Sequence, residues 1–334
     1  MKHNLTITIM LVLFFILAQV AGLWLINKES NVSVDAKTNQ TVINYSDTAV
    51  GPRPETQGSG SLIYVLIAVF IGTLLVLLIV KFGQVTVWKT WFFLAVWMAM
   101  SVSLGAIIKS QIWFEYDIAI SIALILSFWK IFRPNVVIHN LTEILMYAGI
   151  GLIIVPIFDV TWAIVLLLII SVYDIYAVWH SKHMVKMAQF QTKSNVFAGL
   201  MIPYGKADKN KNINNKREKE LKILASDNYN SKDSAKKNKK FSKIKYSDVK
   251  GPKVAILGGG DIAFPLIFTG TVMNGLILEG LSKSAAFIQA SIITLTTAIA
   301  LTLLFIFAKK GKFYPAMPFI TAGCLVGWAI VLLI

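Results

Sequence analysis

The feature that most constrains this chain is a continuous apolar run over residues 254–278, in which Asp261 is the only charged residue. A run of this length can cross a lipid bilayer as a helix. A carboxylate inside such a helix costs about 2.5–3.5 kcal/mol on insertion scales, so it normally has a function and a partner. The apolar segment before it, residues 160–179, also contains a single carboxylate, Asp174. We therefore expect the fold to bring Asp174 and Asp261 together.

The composition predicts a polytopic membrane protein. Hydrophobic residues make up 56% of the 334 residues, which is more apolar surface than a soluble protein of this size can cover. The net charge of +15 is concentrated in residues 180–253, which hold 19 basic and 6 acidic residues. We interpret this stretch as a cytoplasmic loop held inside by its charge, with attraction to anionic lipid headgroups as the second possibility. A lipid bilayer is therefore the expected environment, and no nucleic-acid partner is expected.

Nine apolar segments are candidate transmembrane helices, and the expected fold class is all-α. Their bounds are Leu5–Ile26, Leu62–Val80, Trp91–Ile108, Ile118–Phe132, His139–Ile157, Val160–Trp179, Val254–Leu278, Ala285–Ala308 and Ala316–Ile334. The first segment is longer than the apolar core of most cleaved signal peptides, and no clear small-residue cleavage site follows it. We therefore interpret it as a transmembrane helix.

The basic residues between these segments predict the orientation of the helices. The excess of Lys and Arg alternates from one loop to the next, as it does when basic loops stay in the cytoplasm. This places the N-terminus in the cytoplasm and the C-terminus outside. The chain then consists of a six-helix part (1–179), a basic cytoplasmic loop (180–253) and a three-helix part (254–334). Within the loop, residues 206–245 are rich in Lys, Asn and Ser and are expected to be disordered.

The polar segment 27–60 is rich in Asn, Ser and Thr, and we expect it to form a flexible loop outside the cytoplasm. It contains three glycosylation sequons, which begin at Asn31, Asn39 and Asn44 and suit that side of the membrane.

The two aspartates are expected at one depth in the bilayer. Asp174 lies about six residues before His180, and Asp261 lies about eight residues after Lys253. At 1.5 Å per helical residue, both would lie roughly 9–12 Å from the cytoplasmic end of their helix. Two carboxylates that meet there cannot both ionise, so they share one proton. One can then act as a general base on water while the other donates a proton to a peptide carbonyl.

The glycines before Asp261 fit such a site. Gly258, Gly259 and Gly260 have no side chains, so another backbone or a substrate can approach the aspartate closely. Pro265 leaves a backbone carbonyl without its helical donor. The alternative is that these small residues only pack helices against one another.

Three short motifs, taken together and in order, give the chain a family resemblance. Tyr173-Asp174, Gly258-x-Gly260-Asp261 and Pro315-Ala316-Met317 resemble the Tyr-Asp, Gly-x-Gly-Asp and Pro-Ala-Leu signatures of the presenilin and signal peptide peptidase family. Those proteins are intramembrane aspartyl proteases with nine helices. One departure is visible, since Met317 stands where the family has Leu. Met and Leu have similar volumes, and their exchange usually costs little.

The resemblance implies a function and a set of site residues. Asp174 and Asp261 would be the catalytic pair, and the residues that bind substrate or shape the site would be Tyr173, Gly258, Gly260, Pro315, Ala316 and Met317. Substrates would be transmembrane segments of other proteins, which would reach the dyad between the sixth and ninth helices. The chain's size resembles that of the archaeal members, which implies a multi-pass protein of a prokaryotic cell membrane. A eukaryotic source would imply an endomembrane.

No metal or organic cofactor is expected. Cys324 is the only cysteine, and the pair His180 and His183 has no third ligand near it in sequence. Glu143 is a third acid within an apolar segment, and we interpret it as an interfacial acid paired near Arg133 or His139. A homo-oligomer is compatible with the sequence.

Two rival functions and one mechanistic detail stay open. A proton-coupled transporter could use the same carboxylates as a proton relay, although no second glycine-rich break in the first half suggests the internal repeat of many carriers. A non-catalytic scaffold that retains substrate helices is the weaker alternative. If the chain is a protease, an unwound substrate could pair as a strand with residues 250–253 or 313–315.

Overall fold

The computed structural model of the chain describes residues 5–37, 39–108, 117–133, 135–180, 187, 190–191, 194, 196–204, 253–308 and 314–334. Nine α-helices of at least 15 residues lie in these ranges: α1 (Leu5–Glu29), α2 (Ser59–Phe82), α3 (Val85–Ile107), α4 (Asp117–Phe132), α5 (Val136–Ile154), α6 (Val160–Ile175), α7 (Gly260–Leu278), α8 (Lys283–Phe307) and α9 (Met317–Val331). A 3₁₀ turn, Val155–Ile157, continues α5, and a π-helical turn, Tyr176–His180, continues α6.

Seven of these helices are long and apolar enough to cross a membrane: α1, α2, α3, α5, α6, α7 and α8. The other two, α4 and α9, are apolar but contain only 16 and 15 residues. At 1.5 Å per residue they are about 22–24 Å long, against a hydrocarbon core of about 30 Å. The expectation of a mostly helical, multi-pass membrane protein is confirmed.

The segment between α1 and α2 contains a β-hairpin, so the prediction of a flexible loop over residues 27–60 is wrong. Strands β1 (Ser30–Val34) and β2 (Thr41–Tyr45) pair in antiparallel register, with Ser30 opposite Tyr45. Three long-range hydrogen bonds hold this segment to the helices. The Tyr45 hydroxyl donates to Asn274 of α7 (2.8 Å), Lys283 of α8 donates to the Ser30 carbonyl (2.6 Å), and Arg53 donates to the Leu152 carbonyl of α5 (2.9 Å). Since these partners are remote in sequence, local composition could not predict them.

The predicted seventh helix begins too early. Its first residues form strand β4 (Lys253–Gly258), which pairs with β3 (Gly199–Tyr204), and helix α7 starts only at Gly260. The fold is therefore mostly helical with two small two-stranded sheets, and not all-α. A run of apolar residues fits a buried strand as well as a helix, and periodicity alone does not separate them.

Contacts divide the chain into two units, Met1–Ile202 with Ile256–Ile334, and Pro203–Ala255. Of the second unit, the structure describes only residues 203–204 and 253–255, which are ends of β3 and β4. The predicted disorder of residues 206–245 and the residue His183 lie outside the described residues.

Helix α7 is the centre of the first unit and the most buried of its long apolar helices. It packs against α1, α5, α6, α8 and α9. Small residues allow close helix contacts around it: a side chain on Gly149 of α5 would overlap the Ala99 carbonyl of α3, and one on Gly323 of α9 would lie 2.8 Å from the backbone of Thr297 in α8. This packing places the end of α6, the start of α7 and the start of α9 side by side.

Candidate active site

Asp174 is the next-to-last residue of the regular part of α6, directly before the π-helical turn that starts at Tyr176. Its side chain is 6% exposed. Turns of π-helix are rare and frequently occur at functional sites, because they shift the backbone out of the α-helical register. The local break therefore separates Asp174 from the C-terminal extension of its own helix.

The carboxylate of Asp174 binds the N-terminus of α9. Its Oδ2 accepts a hydrogen bond of 3.1 Å from the backbone N–H of Met317, and the backbone of Ala316 also donates to it. The first N–H groups of a helix have no partner inside the helix, and the positive end of the helix dipole favours a carboxylate. One turn away, the hydroxyls of Ser171 and Thr321 are 2.6 Å apart and join α6 to α9 a second time.

The third sequence motif, Pro315-Ala316-Met317, therefore contacts Asp174 through its backbone. Pro315 and Met317 are buried, and Met317 is the first residue of α9. Its side chain, 3% exposed, is packed in the core, while its N–H donates to Asp174. Since every residue except proline supplies this N–H, the exchange of Leu for Met at this position leaves the contact with Asp174 intact.

Asp261 is the second residue of α7, the helix that packs against α6. The backbone N–H of Gly258 donates to its carboxylate, and the charges of Asp174 and Asp261 are close enough to interact. The fold thus brings the two aspartates together at the end of one helix and the start of the next.

The expected depth of Asp261 within its helix is wrong. We expected it eight residues into a transmembrane helix, but residues 253–258 form β4, so Asp261 lies in the first turn of α7. The positions of the two aspartates correspond in a different way, because Asp174 lies at the end of α6 and Asp261 lies at the start of α7. Both aspartates are thus next to backbone that is not α-helical.

The three glycines before Asp261 differ in what surrounds them. A Cβ on Gly258 would lie 3.2 Å from Oδ2 of Asp261, and a Cβ on Gly259 would lie 2.5 Å from the hydroxyl of Tyr147. A Cβ on Gly260 would meet only the ring of Phe264, at an ordinary 3.5 Å. The first two glycines are therefore required by close packing, whereas Gly260 is exposed.

Two further residues contact this region and were not identified from the sequence. Gln19 of α1 is fully buried, and its Nε2 donates to the Ile262 carbonyl (2.7 Å), one residue after Asp261. It is the only polar side chain between Thr8 and Asn27, which is the signal that could have identified it. Tyr147 of α5 lies against Gly259, and its sequence surroundings give no such signal.

The remaining predicted site residue, Tyr173, is half-buried and precedes Asp174 in α6. Within the ranges that the structure describes, no three His, Cys, Asp or Glu side chains are grouped as metal ligands would be. The polar groups described at this site are the two carboxylates and the backbone N–H groups of Gly258, Ala316 and Met317.

Comparisons with known proteins agree with this geometry. The family model described as "Signal-peptide peptidase, presenilin aspartyl protease" matches residues 31–334. Among solved structures, a presenilin family intramembrane aspartate protease in one crystal form has a TM-score of 0.59 and 14% sequence identity, over 98% of both chains. A second crystal form described in the same words gives a TM-score of 0.55 and 14% identity, over 97% of this chain and 96% of the other. No curated protein sequence matches. At 14% identity, the two structures establish similarity of fold alone.

Proposed function

The chain belongs to the signal-peptide peptidase and presenilin family of aspartyl proteases, and from this premise we propose that Asp174 and Asp261 are its catalytic dyad. The family membership confirms the resemblance drawn from the sequence motifs. The observation that carries the proposal is the juxtaposition of the two carboxylates at the end of α6 and the start of α7.

In the proposed reaction, the dyad shares one proton and binds a water molecule. The ionised aspartate takes a proton from the water as its oxygen attacks the carbonyl carbon of the scissile peptide bond. The protonated aspartate donates to the carbonyl oxygen, which gives a neutral tetrahedral intermediate. The C–N bond then breaks as the protonated aspartate gives its proton to the leaving nitrogen and the ionised aspartate takes a proton from a hydroxyl of the intermediate, so that the pair again holds a single proton. No covalent enzyme intermediate forms.

Asp174 and Asp261 of the proposed dyad have different neighbours. Asp174 accepts backbone hydrogen bonds from Ala316 and Met317 at the start of α9, and these favour its ionised form. Asp261 accepts one from Gly258 and adjoins the packed surface of Tyr147 and Gly259. Different environments for two carboxylates are what allow one to act as acid and the other as base.

We propose that the substrates are transmembrane segments that reach the dyad between α6 and α9, with Tyr173, Gly258, Gly260 and Pro315–Met317 shaping the site. Gly260 is exposed and has no side chain, so the backbone of a substrate can approach Asp261 closely. An unwound substrate would add as a strand near β4, because β4 leads directly into the Gly258–Gly260 turn.

The test of the dyad is cleavage of a single-helix substrate by the purified protein in liposomes. We expect the wild type to cleave it and Asp174→Asn and Asp261→Asn each to lose cleavage while keeping the melting temperature of a folded protein. A variant of either aspartate that cleaves at the wild-type rate would refute the dyad. Proton uptake into the same liposomes, abolished by the same variants without any cleavage in the wild type, would favour the transporter.

We also propose that all nine helices cross the membrane, with the N-terminus in the cytoplasm and the C-terminus outside, and that residues 1–179, 180–253 and 254–334 form three parts. Cys324 is buried, and Cys324→Ala provides a cysteine-free background. Exposed Lys37 and Lys81 are then replaced singly by cysteine. A membrane-impermeant maleimide should label Lys37→Cys in intact cells and Lys81→Cys only after lysis; the reverse pattern would contradict the orientation.

A further inference from the structure

A stripe of polar side chains lies on one face of α5, in a helix long and apolar enough to span the membrane. Its members are His139, Asn140, Glu143 and Tyr147, and we call them the α5 polar stripe. Their spacing of three or four residues places them on the same face. All are buried, and Glu143 is fully so. The expectation that Glu143 lies at the membrane interface is therefore wrong, whereas the expected pairing near His139 is present, because His139 Nε2 lies 3.9 Å from Glu143 Oε1. Buried charges inside a membrane helix normally serve a function.

The carboxylate of Glu143 receives donors from three different elements. Lys130 of α4 forms a buried ion pair with Oε1. The Tyr147 hydroxyl and the backbone N–H of Gly199 both donate to Oε2, the latter at 2.9 Å. Lys130 is itself 4% exposed and belongs to this buried pair. Both oxygens of Glu143 thus have partners.

Side chains of the α5 polar stripe form hydrogen bonds with the backbone of strand β3 at Gly199 and Met201. His139 Nε2 contacts the Gly199 carbonyl (2.8 Å), and Glu143 accepts the N–H of the same residue. The Asn140 amide then pairs with both backbone groups of Met201, each at 2.9 Å. The side chains of α5 therefore bind β3 as a neighbouring strand would.

Strand β3 in turn determines where β4 lies. Gly199 has a φ of +144°, and a Cβ on it would overlap the Leu257 carbonyl of β4, so the two backbones touch at this point. Leu257 directly precedes the Gly258–Gly260 turn and is 2% exposed. Glu143 therefore contacts Gly199, and Gly199 contacts Leu257, the residue directly before the turn that precedes Asp261.

The second contact of Glu143 leads to the middle of the same turn. Tyr147, oriented by its hydrogen bond to Glu143, places its hydroxyl 2.5 Å and its ring 3.1 Å from the Cβ position of Gly259. Gly199 and Tyr147 thus contact the chain at residues 257 and 259, on either side of Gly258, whose N–H donates to Asp261.

We propose that Glu143 is a positioning residue for the reaction: it holds Gly199 and Tyr147 against the segment 257–259 and so orients the carboxylate of Asp261. This inference rests on the proposed dyad. It assigns no chemical step to Glu143, which acts through the backbone of Gly199 and the side chain of Tyr147 and does not touch the reacting atoms. The ion pair with Lys130 neutralises the buried carboxylate, because an unpaired charge at this position would be strongly destabilising.

The test separates the hydrogen bonds of Glu143 from its charge. Glu143→Gln with Lys130→Met removes both charges but keeps an oxygen acceptor for Gly199 and Tyr147. Glu143→Leu with Lys130→Met removes both charges and the acceptor, and apolar replacement of a complete buried pair is often tolerated. Thr294→Val is the matched control, because it removes a buried hydroxyl of α8 for which the structure shows no hydrogen-bond partner.

We expect the Leu/Met variant to lose about 100-fold in kcat with KM unchanged, the usual consequence of a misplacement of about 1 Å. Affinity for a peptide with a hydroxyl transition-state isostere should fall in parallel, while the affinity for an uncleavable substrate helix stays constant. The Gln/Met variant should keep kcat within a few-fold of wild type. A wild-type kcat in the Leu/Met variant, or an equal loss in both double variants, would overturn the proposal.

Should the Leu/Met variant fail to fold, Glu143→Asp decides the question, since it keeps the charge opposite Lys130 but withdraws the carboxylate from Gly199 and Tyr147. A wild-type kcat in Glu143→Asp would then refute the positioning role, and a reduced kcat with unchanged KM would support it. Asp261→Asn is measured in parallel. Cleavage by Asp261→Asn would refute the dyad itself. If Asp261→Asn is inactive and the Glu143 variant is fully active, only the role of Glu143 is refuted.

Discussion

The carboxylate of Asp174 accepts a 3.1 Å hydrogen bond from the backbone N–H of Met317, 143 residues later in the chain. This contact links the first and third sequence motifs through the start of α9. It depends on the backbone of Met317, while the side chain of the same residue is packed in the core at 3% exposure. Substitution can therefore separate the packing of the Met317 side chain from the hydrogen bond of its backbone N–H.

Replacement of Met317 by Leu should leave activity near the wild-type level. The two side chains have similar volumes, so the cost in unfolding free energy should stay below about 1.5 kcal/mol, and the N–H to Asp174 is retained. Met317→Ala keeps the same N–H but leaves a cavity that should cost about 2–5 kcal/mol. Melting temperature and cleavage rate check both variants. A Leu variant that is folded but inactive would show that the Met side chain has a role beyond packing.

The glycines before Asp261 should respond to alanine in a graded order. Gly259→Ala places a methyl group 2.5 Å from the Tyr147 hydroxyl and should reduce the cleavage rate about 100-fold by displacing the turn. Gly258→Ala presses on Asp261 at 3.2 Å and should have an intermediate effect. Gly260→Ala meets only Phe264 and should be as stable as wild type or up to about 1 kcal/mol more stable.

Cleavage kinetics and melting temperature distinguish these three variants. Because Gly260 is exposed, any effect of its substitution on cleavage should appear in KM. Equal effects of all three substitutions on the melting temperature would contradict the described packing.

Gly199→Ala should impair cleavage far more than Gly280→Ala. Both glycines have a positive φ, +144° and +103°, so an alanine is strained at either position. A Cβ on Gly199 would also meet another backbone, the Leu257 carbonyl of β4, whereas no atom of the described residues lies within 4 Å of a Cβ at Gly280. We expect Gly280→Ala to lower stability by about 1 kcal/mol with normal kcat, and Gly199→Ala to lose most of kcat. Equal kcat values would show that β3 does not position β4.

Tyr45 should make stability depend on pH in the alkaline range. Burial raises the pKa of Tyr45 to about 12 in the folded protein, against about 10 in the unfolded chain. The stabilisation is fully present below pH 10 and is lost as the pH rises from about 10 to 12, because the unfolded chain then releases the proton more readily. Tyr45→Phe should lack this part of the decline. Melting temperatures at pH 8 and pH 11 test it, and the same decline in both proteins would contradict it.

The apolar runs by themselves determined most of the helical architecture. The bounds of α4 agree with the prediction to one residue, because a charged or proline-containing stretch ends the apolar pattern on each side. The three short motifs likewise identified the family, and two of them contain an aspartate, which apolar helices seldom contain. The prediction was wrong where an apolar run became strand β4, because the pairing with β3 that favours a strand involves residues more than 50 positions away.

The sequence by itself determined that this chain is a multi-pass membrane protein of a known protease family with two isolated carboxylates, because the cost of transferring charge into lipid is a local property of each segment. Only the tertiary structure decided what surrounds those carboxylates. The N–H of Met317 reaches Asp174 from α9, and the ring of Tyr147 reaches the turn before Asp261 from α5, where Tyr147 donates to the buried pair of Glu143 and Lys130. Hydrogen bonds and steric contacts act over a few ångströms, so they depend on which helices pack together and not on the order of residues along the chain.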